Sequence, residues 1–301
     1  AGAVAEAGNT MFPLLSTEVW VFISCLITWL LLYFGSYRSL EKTLLAMVLF
    51  FSFMTLIIAL AMQSTEYQVN LNQISEGLTF SLPTEYLPLA LAVFGFTGIS
   101  YGEIMAYTYW CLEKGYAEDT DNDIEEKKHW IKTMQTDVWV TVFFITLGTL
   151  PFFFLGAGVL NNVPELQESL ATSSFWDVDV ISSLQNMFSL VLGGWAKWLF
   201  IILAFFVLFS TLLSGTAAFT RTISDYLISM GLVKEKTDTR TKLIKLIAFV
   251  IPFLSGLFYF ILPNPITLLL IAGIWAAIGL PIVNIGALYL VNKLEPALQP
   301  K

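Results

Sequence analysis

The stretch GISYGEIMAY (Gly98–Tyr107) interrupts an apolar run that is long enough to cross a bilayer. It follows LPLALAVFGFT (Leu87–Thr97) and precedes TYWCL (Thr108–Leu112). Each glycine weakens a helix by about 1 kcal/mol relative to alanine. A carboxylate such as Glu103 costs about 2.5–3.5 kcal/mol at the centre of a membrane helix. The stretch therefore predicts a broken helix with a functional role, and close helix packing at the glycines is the structural alternative.

The composition of the whole chain identifies the solvent as lipid. Hydrophobic residues make up 56% of the 301 positions and charged residues 13%, and the mean hydropathy is +0.74. A soluble domain has about 25% charged residues. We therefore expect an all-α polytopic membrane protein, and the net charge of −8 is no argument for a nucleic-acid partner. No nucleotide-binding loop, hydrolase motif or nucleophile elbow is present, so the sequence does not predict an enzyme.

About eight apolar segments are near or above the length that a spanning helix needs, which is about 20 residues. The first is incomplete and begins at Ala1, from which we expect a fragment that starts within a helix. The predicted segments are Ala1–Leu15, Val19–Phe34, Leu40–Ala61, Tyr86–Leu112, Val138–Val159, Trp195–Tyr226, Leu243–Leu262 and Ile266–Val291.

The connections between these segments alternate in positive charge. All of the 15 Lys and Arg residues except Lys197 fall on one side, if Arg221 marks the end of its helix. Lys and Arg in short loops favour the cytoplasmic side. We therefore predict a plasma (inner) membrane protein whose loops 35–39, 113–136 and 227–242 and C-terminus are cytoplasmic.

Four stretches of the chain form a recognisable pattern: AVAEAGNT (Ala3–Thr10), SYRSLEK (Ser36–Lys42), FGFTGISYGEIMAYTYWCLEKGY (Phe94–Tyr116) and LFSTLLSGTAAFTRTISDYL (Leu208–Leu227). Together they resemble the Nramp family of divalent-metal transporters, most of all its divergent members, some of which transport magnesium. The resemblance covers most of the chain, and each motif is loose.

The resemblance implies a LeuT-type fold built from two inverted repeats, truncated at its N-terminus. The chain would be one membrane domain, 1–301. Residues 1–61 would be the end of the first repeat, helices 3 to 5, and residues 86–293 the second repeat, helices 6 to 10. The first two helices of the family, with their Asp-Pro-Gly half of the metal site, would complete the site from outside this sequence.

The broken helix of the family also suggests which groups bind the ion. Family members that transport manganese and iron have Met-Pro-His-Asn there, and this motif places Ser100 at the methionine and Glu103 at the asparagine. A thioether favours softer transition metals, whereas oxygen ligands suit magnesium, calcium or manganese. We therefore expect a Mg2+ or Mn2+/Fe2+ class ion as the transported ligand, with no other cofactor. The candidate ligands are the carbonyls of Thr97 and Gly98 with Ser100, while Glu103 binds indirectly or attracts cations.

Proton coupling is less well supported by the sequence. The family places an Asp three residues before a Glu in its third helix, and here Ala3 precedes Glu6. The single histidine, His129, lies in a charged loop. Other residues that we predict to line the pathway or a gate are Asn9, Tyr101, Tyr107, Arg221, Asp225 and Asn284. Arg221 and Asp225 are four residues apart, which favours an ion pair along a helix. We predict that Asn284 is a buried amide.

Two other functions stay open from the sequence. A sodium-coupled symporter of an amino acid or nucleobase could use the same fold, with half-helix ends that bind a carboxylate or a ring. A non-transporting membrane receptor or assembly subunit would use Gly98 and Gly102 for helix packing alone. The leading prediction is a secondary transporter that moves divalent cations into the cytoplasm by alternating access.

Overall fold

The computed structural model describes residues 1–35, 37–79, 81–82, 84–116, 123–160, 162, 180–234, 236, 238–262 and 265–299. In this part of the chain there are helices and turns but no β-strand. Seven of the described helical stretches are long and apolar enough to cross a membrane: Thr17–Phe34, Glu41–Met62, Leu87–Glu113, Ile124–Leu160, Ala196–Ser229, Thr239–Ile261 and Thr267–Val291. The prediction of an all-α polytopic membrane protein is confirmed.

The helices follow one another with short connections wherever the connection is described. Their bounds are α1 Gly2–Met11, α2 Thr17–Phe34, α3 Tyr37–Met62, α4 Leu71–Gly77, α5 Leu87–Phe96, α6 Tyr101–Glu113, α7 Ile124–Leu155, α8 Val180–Leu192, α9 Ala196–Ser229, α10 Thr239–Ile261 and α11 Pro265–Val291. A short 3-10 turn, Thr84–Tyr86, precedes α5, and a π turn, Gly156–Leu160, continues α7.

Two of the predicted boundaries are wrong. The first apolar segment was expected to run to Leu15, but α1 ends at Met11; its ten residues are about 15 Å long, half of the ~30 Å hydrocarbon core. The predicted loop 113–136 is helical from Ile124 onward. Asp123 Oδ1 accepts the amide N–H of Glu125 at 2.9 Å, and two glutamates lie in the first turn. Both features stabilise the start of a helix. The prediction missed this start because it used only the length of the apolar run.

One helix, α8, was not predicted as a separate element. Its 13 residues are too few to span a bilayer, but Met187 and Phe188 are fully buried. It packs on α3, on α9 and on the π turn, and its two buried side chains join a core that includes Met62 and Val159. Apolar positions spaced at 180, 184, 187, 188 and 191 are the helical signal that could have revealed it.

The chain divides into two compact units. The first contains Ala1–Leu82 and Leu147–Leu268, and the second contains Pro83–Thr146 and Leu269–Lys301. Within the first unit, α1 packs against α2, α9 and α10. The broken helix α5–α6 belongs to the second unit, together with the first part of α7 and most of α11. The sequence-based division into repeats at 1–61 and 86–293 remains a prediction.

Candidate functional site

The apolar run that contains GISYGEIMAY is broken at Thr97–Ser100. The last α5 hydrogen bond runs from the Thr97 amide N–H to the Val93 carbonyl at 2.7 Å, and α6 begins at Tyr101. Gly98 has φ +89°, in a region that disfavours residues with a Cβ. The predicted break in this span is therefore confirmed, and Gly98 is the residue that makes the turn.

The start of α6 is capped by its own side chains. The Ser100 amide N–H donates to Glu103 Oε2 at 2.6 Å, and the Glu103 amide N–H donates to the Ser100 side chain. This reciprocal pair is a capping box, which occupies two amide donors at a helix start. Glu103 is exposed and Ser100 is partly buried. The structure thus places the Glu103 carboxylate against the backbone of the break.

These contacts give the break a negative electrostatic character. The C-terminal end of α5 has carbonyls without in-helix donors, and this end is equivalent to a charge of about −0.5. The N-terminal end of α6 is equivalent to a charge of about +0.5. Glu103 lies in the first turn of α6 and offsets the positive end with a full negative charge when it is ionised. A cation is therefore favoured at the break over an anion.

The glycines that pack closely in this unit are not those of the break. A Cβ on Gly95 of α5 would overlap the Gly273 carbonyl of α11, and a Cβ on Gly273 would meet the Ala92 carbonyl. In contrast, a Cβ on Gly98 would have no neighbour within 4 Å among the described residues, and one on Gly102 would lie 3.9 Å from Ser100 Oγ. Within the part of the chain that the structure describes, Gly98 and Gly102 are therefore not packing residues. Gly98 determines backbone direction instead.

The structure brings Thr97, Gly98, Ser100 and Glu103 together because they are nearly consecutive along one broken helix. Thr97 and Gly98 are exposed. Among the residues that the structure describes, no three or more His, Cys, Asp or Glu side chains cluster as a metal site. The donors that the break itself offers are backbone carbonyls, a hydroxyl and one carboxylate, all of them oxygen.

A second acid lies in the first unit. Glu6 of α1 accepts a hydrogen bond from Tyr259 Oη of α10 at 3.1 Å, and Thr10 Oγ1 donates to the Glu6 carbonyl at 2.8 Å. Asn9 uses its side-chain Nδ2 to donate to the Leu15 carbonyl at 2.7 Å, across the turn that ends α1. Glu6 therefore joins two helices, whereas Asn9 stabilises a local turn.

Asp225 pairs with a residue of the next helix rather than with Arg221, among the contacts of the described residues. Asp225 Oδ1 accepts from Arg240 Nε of α10 at 2.8 Å. Arg221 Nη1 donates to the Ala217 carbonyl of its own helix at 2.9 Å. Asp225 lies near the C-terminal end of α9 and Arg240 lies at the start of α10. Their ion pair therefore joins the two helices close to the connection between them.

Three remaining candidates belong to the second unit. The Tyr101 ring lies beside Gly279 of α11, where a Cβ would clash with it. Tyr107 Oη donates to the Met134 carbonyl of α7 at 3.3 Å. Asn284 is exposed, so the expectation of a buried amide is wrong. Neither tyrosine lies in the break itself.

The sequence reasoning missed Asp137 on α7. Its Oδ2 accepts a hydrogen bond from Tyr116 Oη at 2.7 Å and lies 3.7 Å from Lys114 Nζ. An acid directly before the apolar run that starts at Val138 was a signal that could have singled it out. Its partners, Lys114 and Tyr116, directly follow α6 and lie more than 20 residues before Asp137 in the chain. No local sequence pattern reveals a contact over that separation.

Comparison with protein families identifies the family to which the chain belongs. The natural resistance-associated macrophage protein-like (Nramp) family matches residues 1–295, and the chain belongs to this family. Membership indicates a divalent-metal transporter with the LeuT-type fold, in agreement with the all-helical structure and its spans. Comparison with curated proteins and with solved structures finds no match.

Proposed function

We propose that this protein moves a divalent cation into the cytoplasm by alternating access, with the ion bound at the break Thr97–Ser100. The observation that carries the proposal is the capping box, in which Glu103 offsets the positive end of α6. Discontinuous helices at mid-membrane form the substrate sites of many secondary transporters. A negative break suits a cation substrate.

The orientation of the protein in the membrane, and with it which side is the cytoplasmic one, rests on the distribution of positive charge. All Lys and Arg residues but Lys197 fall on one predicted side of the membrane, which the positive-inside rule assigns to the cytoplasm. On this basis we place the protein in the plasma membrane with the segments 35–39, 113–136 and 227–242 and the C-terminus on the cytoplasmic side. An ion released on that side enters the cytoplasm.

The ion is a hard cation, Mg2+ first and Mn2+ second. The candidate ligands are the carbonyls of Thr97 and Gly98 and the Ser100 hydroxyl, all of which are oxygen. Mg2+ retains several of its waters and binds to few protein oxygens, which fits a short, exposed donor set. Ser100 stands where metal-selective members of the family have methionine, so the sulfur that would favour softer ions is missing.

A sodium-coupled symporter of an amino acid is the competing function. Such a site binds the substrate carboxylate at the exposed N-terminus of a half-helix. Here Ser100 and Glu103 already occupy two of those amide donors, and an ionised Glu103 repels a second carboxylate. The same contact that favours a cation therefore disfavours an amino acid.

Isothermal titration calorimetry on the full-length protein separates the two functions. We expect saturable heat from MgCl2 and MnCl2 and none from an equimolar mixture of amino acids and nucleobases in sodium buffer. Heat from an organic solute with none from either metal would contradict the proposal.

Ser100→Met tests the choice of ion. Adding a thioether to the break should lower the Mg2+ to Mn2+ ratio of initial uptake by severalfold, because sulfur prefers transition metals. Ser100→Ala, which removes the hydroxyl without adding sulfur, is the control. The same ratio in both variants would argue against a direct role of this position in ion choice.

A further inference from the structure

We propose that Asp137, Tyr116 and Lys114 form a latch that holds the C-terminal end of α6 against α7, and that Asp137 is thereby a positioning residue for transport. The transport half of this inference rests on the proposed function. The three residues all lie in the second unit, and none of them belongs to the candidate ion site.

The end of α6 places Tyr116 for this contact. Gly115 has φ +75°, its amide N–H donates to the Leu112 carbonyl, and the Tyr116 amide N–H donates to the Cys111 carbonyl. This is a Schellman-type helix end, in which glycine takes the left-handed conformation. The motif reverses the chain directly after α6 and fixes the direction in which the Tyr116 side chain leaves the backbone.

Tyr116 then contacts α7 with both parts of its side chain. Its Oη donates to Asp137 Oδ2 at 2.7 Å, and its ring stacks on Trp130, with centroids 4.8 Å apart and planes 29° apart. Trp130 and Asp137 are seven positions apart, so they lie on the same face of a helix. One side chain therefore spans two turns of α7.

Lys114 adds a charge to the same contact. Its Nζ lies 3.7 Å from Asp137 Oδ2 and 5.7 Å from the centroid of the Tyr116 ring. Asp137 is thus at once an acceptor for a phenol and a counter-ion for an ammonium, and its side chain is only 30% exposed. A hydrogen bond to an ionised group is stronger than a neutral one, so Asp137 dominates the latch.

A second contact, closer to the break, also joins α6 to α7. Tyr107 Oη donates to the Met134 carbonyl at 3.3 Å, so α6 is joined to α7 at two levels. The half-helix that starts at the ion site is therefore fixed along α7 rather than free at its far end. We infer that α6 and the first part of α7 move as one body when the cytoplasmic side opens and closes.

Cys111 is a native reporter of this latch. It lies on α6 five residues before Tyr116 and is 7% exposed, while Cys25 in the first unit is 1% exposed; both are free thiols. Asp137→Leu and Tyr116→Phe should each raise the rate at which a small permeant maleimide labels Cys111 by about tenfold, the effect of losing one hydrogen bond to a charged group. Cys25 should react at its wild-type rate.

The controls separate the latch from general loosening of the protein. Lys128→Gln breaks the exposed pair of Lys128 and Glu125 on the same helix, 2.7 Å long, and should leave Cys111 unchanged. Asp137→Asn keeps an acceptor for Tyr116 and should label more slowly than Asp137→Leu. Faster labelling of Cys25 in the latch variants would overturn the inference, because it would show global unfolding.

Transport provides the second readout. Asp137 is more than 30 residues from the break along the chain, and Lys114 lies about 20 Å along α6 from Ser100 at 1.5 Å per residue. In Mg2+ uptake, Asp137→Leu should therefore lower the maximal rate severalfold and change KM less than twofold. An unchanged maximal rate would overturn the positioning role, and wild-type labelling of Cys111 would overturn the latch itself. If wild-type protein transports no divalent cation, the labelling still tests the latch, and the proposed function alone fails.

Discussion

Glu103 and Glu6 are two of the acids inside the predicted apolar segments, and their hydrogen-bond partners differ in kind. Glu103 accepts its hydrogen bond from Ser100, three residues away on the same chain segment. Glu6 accepts from Tyr259, 253 residues away on another helix. Glu103 therefore shapes the backbone around it, whereas Glu6 joins α1 to α10. An acid in a membrane span is a functional suspect, and the comparison shows that the partner decides which role follows.

The largest effect should come from the turn that Glu103 supports. Gly98→Ala puts a Cβ at φ +89°, which costs roughly 1–2 kcal/mol, and we expect Mg2+ uptake in proteoliposomes to fall about tenfold. Gly102→Ala is the matched control, because the nearest described atom to its Cβ would be Ser100 Oγ at 3.9 Å. Equal activity of the two variants would break the distinction between the turn and the helix beside it.

The next effect separates the cap from the charge of Glu103. Glu103→Ala removes the side-chain acceptor and should lower the free energy of unfolding by about 1 kcal/mol, the usual cost of a lost helix cap. Glu103→Gln retains a capping box, since glutamine serves there as well as glutamate, and should unfold like the wild type. Denaturant unfolding in detergent, followed by tryptophan fluorescence, measures both. Identical losses in the two variants would show that charge, not capping, stabilises this end.

The smallest effect on transport concerns Glu6. Tyr259→Phe removes one hydrogen bond to the carboxylate, so we expect a loss of about 1 kcal/mol in unfolding free energy and a KM for Mg2+ within twofold of the wild type. Tyr289→Phe, at a residue that is 61% exposed, is the control and should be neutral. A large rise in KM with Tyr259→Phe would place Glu6 in ion binding and remove the contrast with Glu103.

The sequence was sufficient to predict the break but not its mechanism. Weak helix formers and an acid in an apolar run are a local signal, so the interruption at Thr97–Ser100 was predictable. The capping box is also local, since Ser100 and Glu103 are three apart, but both residues were predicted as ion-site residues and not as a helix cap. Gly98 and Gly102 looked alike in sequence, and only the backbone dihedral and the surrounding space distinguish them.

The contacts between distant segments could not be predicted in this way. Three of these contacts depend on how the helices pack, which the periodicity of the sequence does not encode. They are the contacts of Tyr259 with Glu6, Arg240 with Asp225 and Tyr116 with Asp137. Helix α8 was missed for a related reason. A search for spanning segments passes over an amphipathic helix of 13 residues, although its buried Phe188 lies in the main core of the first unit.

The most direct test of cation attraction at the break is the KM for Mg2+ of Glu103→Gln in proteoliposomes, with Glu125→Gln as a surface control on α7. We predict a KM raised about tenfold, or about 1.4 kcal/mol, which is within the range for loss of one nearby unit charge, together with wild-type stability and an unchanged control. A wild-type KM in Glu103→Gln would contradict the claim that this carboxylate draws the cation to the broken helix.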